Sequence, residues 1–170
     1  GSWQDASTSC VGEGNVRLLT SAGGVTHTVE LDEGSGTGLV RLKVDGREYL
    51  IDVTNPLDFS KGMPPTFTVC NTDSLGEQIQ RAFPDARVVK TLNTVNCNLM
   101  IDPARVANGD HHLFVSGNDT QAKQQVIAWL NEWFGWKEII DLGDITTAAS
   151  SSASSAKDVD VCPCGTGAQT

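Results

Sequence analysis

Between residues 47 and 148 the hydrophobic pattern switches repeatedly between a period of two and a period near 3.6, and few architectures accept that alternation. Residues 49–53 read as a strand. Ser74 and Glu77 have the spacing of a capping box and open a helix through Phe83, with Leu75, Ile79, Ala82 and Phe83 on one face and Pro84 as its stop. Residues 87–92 form the next strand, residues 103–107 a helical turn, and residues 111–116 a further strand. Asn118-Asp119 can cap a helix from Thr120 to Phe134, whose stripe is Ala122, Val126, Leu130, Trp133 and Phe134, and Gly135 ends it. Residues 137–142 supply a last strand. Strands alternating with helices imply βαβ units, so the expected fold class is α/β with a mostly parallel sheet.

The flanks have a different texture. Residues 1–46 are rich in Gly, Ser and Thr and read as an antiparallel β-meander. Val25, His27, Val29 and Leu31 alternate with polar residues, as do Val40, Leu42 and Val44, and Asp45-Gly46 is a two-residue hairpin signal leading into Tyr49. Residues 149–170 are small and polar, and burial cannot offset their ordering entropy, so a disordered low-complexity tail is expected. The organisation is thus a meander over 1–46, an α/β unit over 47–148 and a tail over 149–170, within the size of one domain.

Twelve basic residues stand against 21 acidic ones, a net charge of −9, which argues against unspecific nucleic-acid binding and against an anionic membrane surface. The longest apolar run, residues 126–130, is too short to cross a bilayer. The five cysteines include no CxxC pair, so free thiols and a cytoplasmic setting are expected, with no metal. His111 and His112 are neighbours on a strand, which points them to opposite faces, and so make no metal site by themselves.

Ligand sites of open α/β sheets lie at the carboxyl ends of strands. Thr54, Asn55 and Pro56 follow one such end, and Lys90, Asn93 and Thr94 another. If the two strands are parallel, both clusters share one edge, where a lysine and two carboxamides could hold an anion, a cofactor amide or a carbonyl. Turn formation by Asn-Pro and capping by Asn93 explain the same residues without a ligand.

The segments IDVTNPLDFSKGMPP, NTDSLGEQIQRAFPDARVVKTLNT, DHHLFVSGND, AKQQVIAWLNEWFGW and IIDLGDITTA occur in one order over about residues 47–147. Together they resemble the deazaflavin-dependent NADP oxidoreductase family, whose Rossmann domain is similar to the cytoplasmic domain of the six-transmembrane metalloreductases. The resemblance implies the second half of a dinucleotide fold. It implies that Thr54, Asn55 and Pro56 form a cofactor-binding turn near the nicotinamide of NADP. It also implies that Lys90 and Asn93, in Lys-Thr-Leu-Asn, lie near the nicotinamide and the second substrate. Such enzymes move a hydride directly between two bound cofactors by positioning and desolvation.

The first half departs from that family. Three βαβ units need about 90 residues, whereas about 50 precede the Asp-Val-Thr-Asn-Pro strand. Gly12 and Gly14, in Gly-Glu-Gly-Asn-Val, look like the family's phosphate loop, but Arg17 stands where a third glycine is expected. The expectation is a partial Rossmann-like unit joined to an unrelated β segment. It would be an NADP-dependent oxidoreductase by resemblance, with a degraded phosphate-binding half, no assignable catalytic residue and activity not retained. The alternative is a non-catalytic folded module, chimeric or rearranged. Bare strand edges would make either one a homo-oligomer.

Overall fold

Tyr49, Leu50 and Ile51 are consecutive apolar residues, a pattern that suits a strand covered on both faces. The computed structural model describes residues 17–22, 25–33, 39–44, 47–63, 65–69 and 72–155 and covers both faces of this strand. Strands β1 (Arg17–Ala22), β2 (Val25–Glu33), β3 (Leu39–Val44) and β4 (Arg47–Asp52) form an antiparallel meander. Val44 pairs with Arg47, the register that a two-residue Asp45-Gly46 connection requires. The meander has one strand, β1, that the alternation of residues did not announce.

A short ribbon of β5 (Leu57–Asp58) and β6 (Thr66–Phe67) follows, then helix α1 (Leu75–Ala82) and strand β7 (Arg87–Thr91). Ser74 caps α1 by accepting from the Glu77 amide at 3.1 Å. The short helix α2 (Cys97–Met100) and two 3-10 turns lead to β8 (His112–Ser116), α3 (Thr120–Phe134) and β9 (Glu138–Gly143). Asp119 caps α3 by accepting from the Ala122 amide at 3.0 Å, and Gly135 ends it with φ of 80°, a left-handed conformation that glycine takes without a steric penalty.

The large sheet has seven strands in the order β1-β2-β3-β4-β7-β8-β9. Its Rossmann-like part is mostly parallel: β4 pairs with β7, and β8 with β9, in parallel across α1 and α3. The join between those two units, β7 with β8, is antiparallel. Residues 92–111 contain only short helical turns, with no crossover helix to return the chain to the starting edge, so β8 runs back beside β7. The carboxyl ends of β4 and β7 therefore lie on one edge and those of β8 and β9 on the other. At that second edge Gly117 has no room for a side chain, since a Cβ would lie 2.7 Å from the Val88 carbonyl oxygen.

Two apolar clusters cover the sheet. One packs Tyr49, Ile51, Val89, Leu113 and Val115 against Val126, Trp129, Leu130 and Trp136, with Trp129 and Trp133 stacked at 5.2 Å. The other packs Leu50 and Val88 against Ile79, Ile145 and Ala148. Its last two members come from a 3-10 turn (Ile145–Thr147) and helix α4 (Ala148–Ser155).

Helix α4 corrects the expectation of a disordered tail from residue 149. Alanine is the best helix former and serine a tolerable one. Ala148, Ser151 and Ser152 are buried, and Ala148 seats against Gly76 of α1, where an added Cβ would lie 3.1 Å from the Ala148 Cβ. The tail beyond residue 155 and the Gly12/Gly14 segment lie outside the described residues. His111 precedes β8 instead of opening it, and its Nε2 donates to the Pro103 carbonyl at 2.9 Å.

Candidate functional site

Parallel pairing sets Asp52, the last residue of β4, in register with Lys90 of β7. Successive strand residues face opposite sides, so Asp52 shares a face with Leu50, and Lys90 with Val88. Both charged side chains are buried, with exposures of 0% and 1%. Lys90 Nζ donates to Asp52 Oδ2 at 2.9 Å and to the Thr54 carbonyl at 2.6 Å, with Thr54 Oγ1 at 3.5 Å. The other carboxylate oxygen, Asp52 Oδ1, accepts from the Thr54 amide at 2.9 Å and from Thr54 Oγ1 at 2.6 Å. Burial pulls the Lys90 ammonium below the ordinary lysine range, and the Asp52 carboxylate opposes that shift.

One turn further on, the two asparagines meet. Asn55 Nδ2 donates to the Asn93 carbonyl at 2.7 Å, and Asn93 Nδ2 donates to Asn55 Oδ1 at 3.1 Å. Leu92, just before Asn93, has φ of 62°. That left-handed conformation is strained for a leucine, and such strain persists where the surroundings impose it. Pro56 is buried, and its carbonyl accepts from the Thr68 amide at 2.9 Å, which ties the turn to the ribbon beside it.

The five residues singled out from sequence at the two strand ends, Thr54, Asn55, Pro56, Lys90 and Asn93, thus meet at one edge. Asp52 is the member that sequence reasoning passed over. Its signal was available: an acid closing the apolar run Tyr49-Leu50-Ile51, as Lys90 follows Val88-Val89. An isolated charge that deep in a sheet needs a partner.

The side of β4 away from β7 departs from a dinucleotide fold. In a dinucleotide fold, the strand beside this one runs parallel to it and leads into a helix whose N-terminus meets the pyrophosphate at the same edge. Here the strand beside β4 is β3, which runs antiparallel and leads directly into β4. Gly12 and Gly14 are not among the described residues. The chemistry of two carboxamide side chains at a strand-end turn fits an amide-bearing ring such as nicotinamide, whereas the antiparallel β3 does not supply the parallel strand and helix that a pyrophosphate site of that fold needs.

At the opposite edge, Lys123 donates to Asp141 Oδ1 and to the Gly143 carbonyl, each at 2.8 Å, and Arg87 pairs with Asp119 at 3.0 Å. These contacts tie α3 to β9 and to β7. Among the described residues no cluster of His, Cys, Asp or Glu could hold a metal ion, and no helix is long and apolar enough to cross a membrane.

No family model matches this chain, and no curated protein matches it. Among solved structures it is similar to "a putative F420 dependent NADP-reductase" from Arthrobacter sp. FB24, with 61% identity and a TM-score of 0.59 over 61% of this chain and 46% of that one. A hypothetical protein, SMa0349 from Sinorhizobium meliloti, is 30% identical over 59% of this chain and 46% of its own, at a TM-score of 0.45. The chain spans less than half the length of either structure. Over about three fifths of its length, then, this chain has a Rossmann-like α/β fold and resembles the deazaflavin-dependent NADP oxidoreductases.

Proposed function

We propose that this chain carries the nicotinamide-facing part of an NADP(H)-dependent oxidoreductase, in which a hydride passes between the nicotinamide and a deazaflavin, flavin or metal-chelate partner. The observation that carries the reading is the meeting of Asn55 and Asn93 at the shared carboxyl edge of β4 and β7. It lies in a chain that resembles the Arthrobacter protein. Bound NADPH supplies the hydride. Asn55 meets the ring, the buried Asn93 holds Asn55 in place through two hydrogen bonds, and Pro56 and the strained Leu92 hold the two turns that carry them. A reducing, cytoplasmic setting suits the five cysteines.

The test is a calorimetric melt with and without NADPH. At a hundredfold excess over its dissociation constant, a ligand bound only by the folded state adds about 2.7 kcal/mol, an upward shift of about 5–10 °C at this size. Asn55→Ala should remove most of that shift, measured against the variant's own ligand-free melt, which falls because the buried Asn93 loses its two hydrogen bonds to the Asn55 side chain. A cooperative melt that stays put at millimolar NADPH would sink the reading.

The antiparallel β3 favours a second reading, a non-catalytic folded module that self-associates. Among the described residues β9 pairs on one side only, and its Ile140 is 40% exposed. A free strand edge of this kind invites pairing between chains. Sedimentation should show a homodimer or larger species, and a clean monomer across a wide concentration range would count against self-association.

A further inference from the structure

The resemblance implies that Lys90 lies near the nicotinamide and the second substrate, but its hydrogen bonds are all made within the protein. We propose that Asp52 and Lys90 form a positioning clamp that sets the Thr54–Asn55–Pro56 turn, and that neither gives a hydrogen bond to the ligand. The ligand's identity rests on the function proposed above; the clamp itself does not.

An ammonium has three donors and no acceptor. The three partners of Lys90 are Asp52 Oδ2, the Thr54 carbonyl and Thr54 Oγ1, all internal, and the side chain is 1% exposed. A fourth partner could be served only by releasing one of these inside a desolvated site. Asp52 is equally occupied, by Lys90 on one oxygen and by the Thr54 amide and hydroxyl on the other. The clamp therefore holds Thr54 by its N–H, its C=O and its side chain. With the Thr54 carbonyl fixed, the peptide plane entering Asn55 is fixed as well, and the contact with Asn93 sets the asparagine side chain. The charged pair acts on the ligand only through where Asn55 stands.

The experiment is a double-mutant cycle on the full chain with Asp52→Asn, Lys90→Met and both together. Two quantities are read: the NADPH dissociation constant, and amide exchange at Thr54 and Leu57, the latter bonded to the Asn55 carbonyl at 2.8 Å. Each single change should weaken NADPH roughly tenfold or more, as expected for losing a charge-assisted contact. The double should lose no more than the worse single, because both act through one turn. Exchange at Thr54 should speed up at least tenfold, while the Lys123 amide in α3 stays protected.

Losses that multiply in the double variant would mean that Lys90 meets the ligand on its own, and would overturn the clamp. Unchanged binding and exchange would also overturn it, leaving a merely structural ion pair. If Lys90→Met fails to fold, the nearly isosteric Asp52→Asn and the charge-free double variant decide the same question. A wild-type chain that binds no NADPH would defeat the proposed function, and the exchange measurements would still decide the clamp.

Discussion

Asp52→Ala should lower the stability of this chain by about 3–5 kcal/mol, because it strips the partner from a buried lysine and leaves the charge unpaired. At this size the loss corresponds to a fall in Tm on the order of 10 °C. The Thr54 amide and hydroxyl lose their acceptor in the same change. The deficit should depend on pH with a definite sign. Burial already depresses the folded-state pKa of Lys90, and without the carboxylate nothing opposes that pull. An unfolded variant then binds a proton that its folded form sheds, so its stability rises as the pH passes upward through the folded-state pKa toward the unfolded value. The deficit should accordingly be full below the folded-state pKa of Lys90 and shrink as the pH rises through it toward the ordinary lysine value. Replacing Asp52 and Lys90 together by apolar residues of similar volume should recover much of the loss. Paired thermal melts across pH check all three statements. A deficit below about 1 kcal/mol, the worth of a surface pair, would show that the two charges are solvated.

Trp136→Ala should cost a similar amount, about 3–5 kcal/mol, by a different mechanism. The indole is 0% exposed, sits just after the Gly135 helix stop and packs into the cluster under α3. Its Nε1 donates to the Met100 carbonyl at 3.0 Å, and the His111 ring packs against the indole in a T-shaped contact at 4.9 Å. One side chain thus pins the middle and the β8 end of the connection between β7 and β8 to the layer beneath α3, and truncation leaves a cavity and removes the donor to the Met100 carbonyl. Trp136→Phe keeps most of the apolar volume and loses the donor, so it should cost about 1–3 kcal/mol. Denaturant titration of the two variants separates the terms. Equal losses would mean that the hydrogen bond outweighs the cavity.

The helices were legible because their signals are local. Ser74 and Glu77 announce α1, and Asp119, the stripe through Leu130, and Gly135 bracket α3. A cap or a 3.6-residue stripe is read within a few residues of chain. The same locality misled at residue 149, where low complexity suggested disorder. Whether Ala148 is buried depends on Gly76 of α1, far away in the chain, and not on the residues beside it. Thr54, Asn55 and Pro56 were visible as an unusual strand end, and Lys90 and Asn93 as another. Asp52 was not, because its meaning is a partner 38 residues away.

What the sequence settled alone was the identity of the longer elements: where α1 and α3 begin and stop, that the runs in β2–β4 and β7–β9 are strands, and which two strand ends carry polar groups. Those follow from backbone hydrogen bonding and side-chain period, which act over one turn or one pleat. The tertiary structure decided direction and partnership. It set β3 antiparallel beside β4, where a phosphate-binding strand would run parallel, and turned β8 back against β7. It also closed Lys90 onto Asp52 and Thr54. A strand's pattern is the same whichever way its neighbour runs, and a lysine's charge is the same whichever group it finds. Both choices are made by long-range packing, when burial of the apolar faces brings distant segments into register and leaves each buried charge to find its counter-charge.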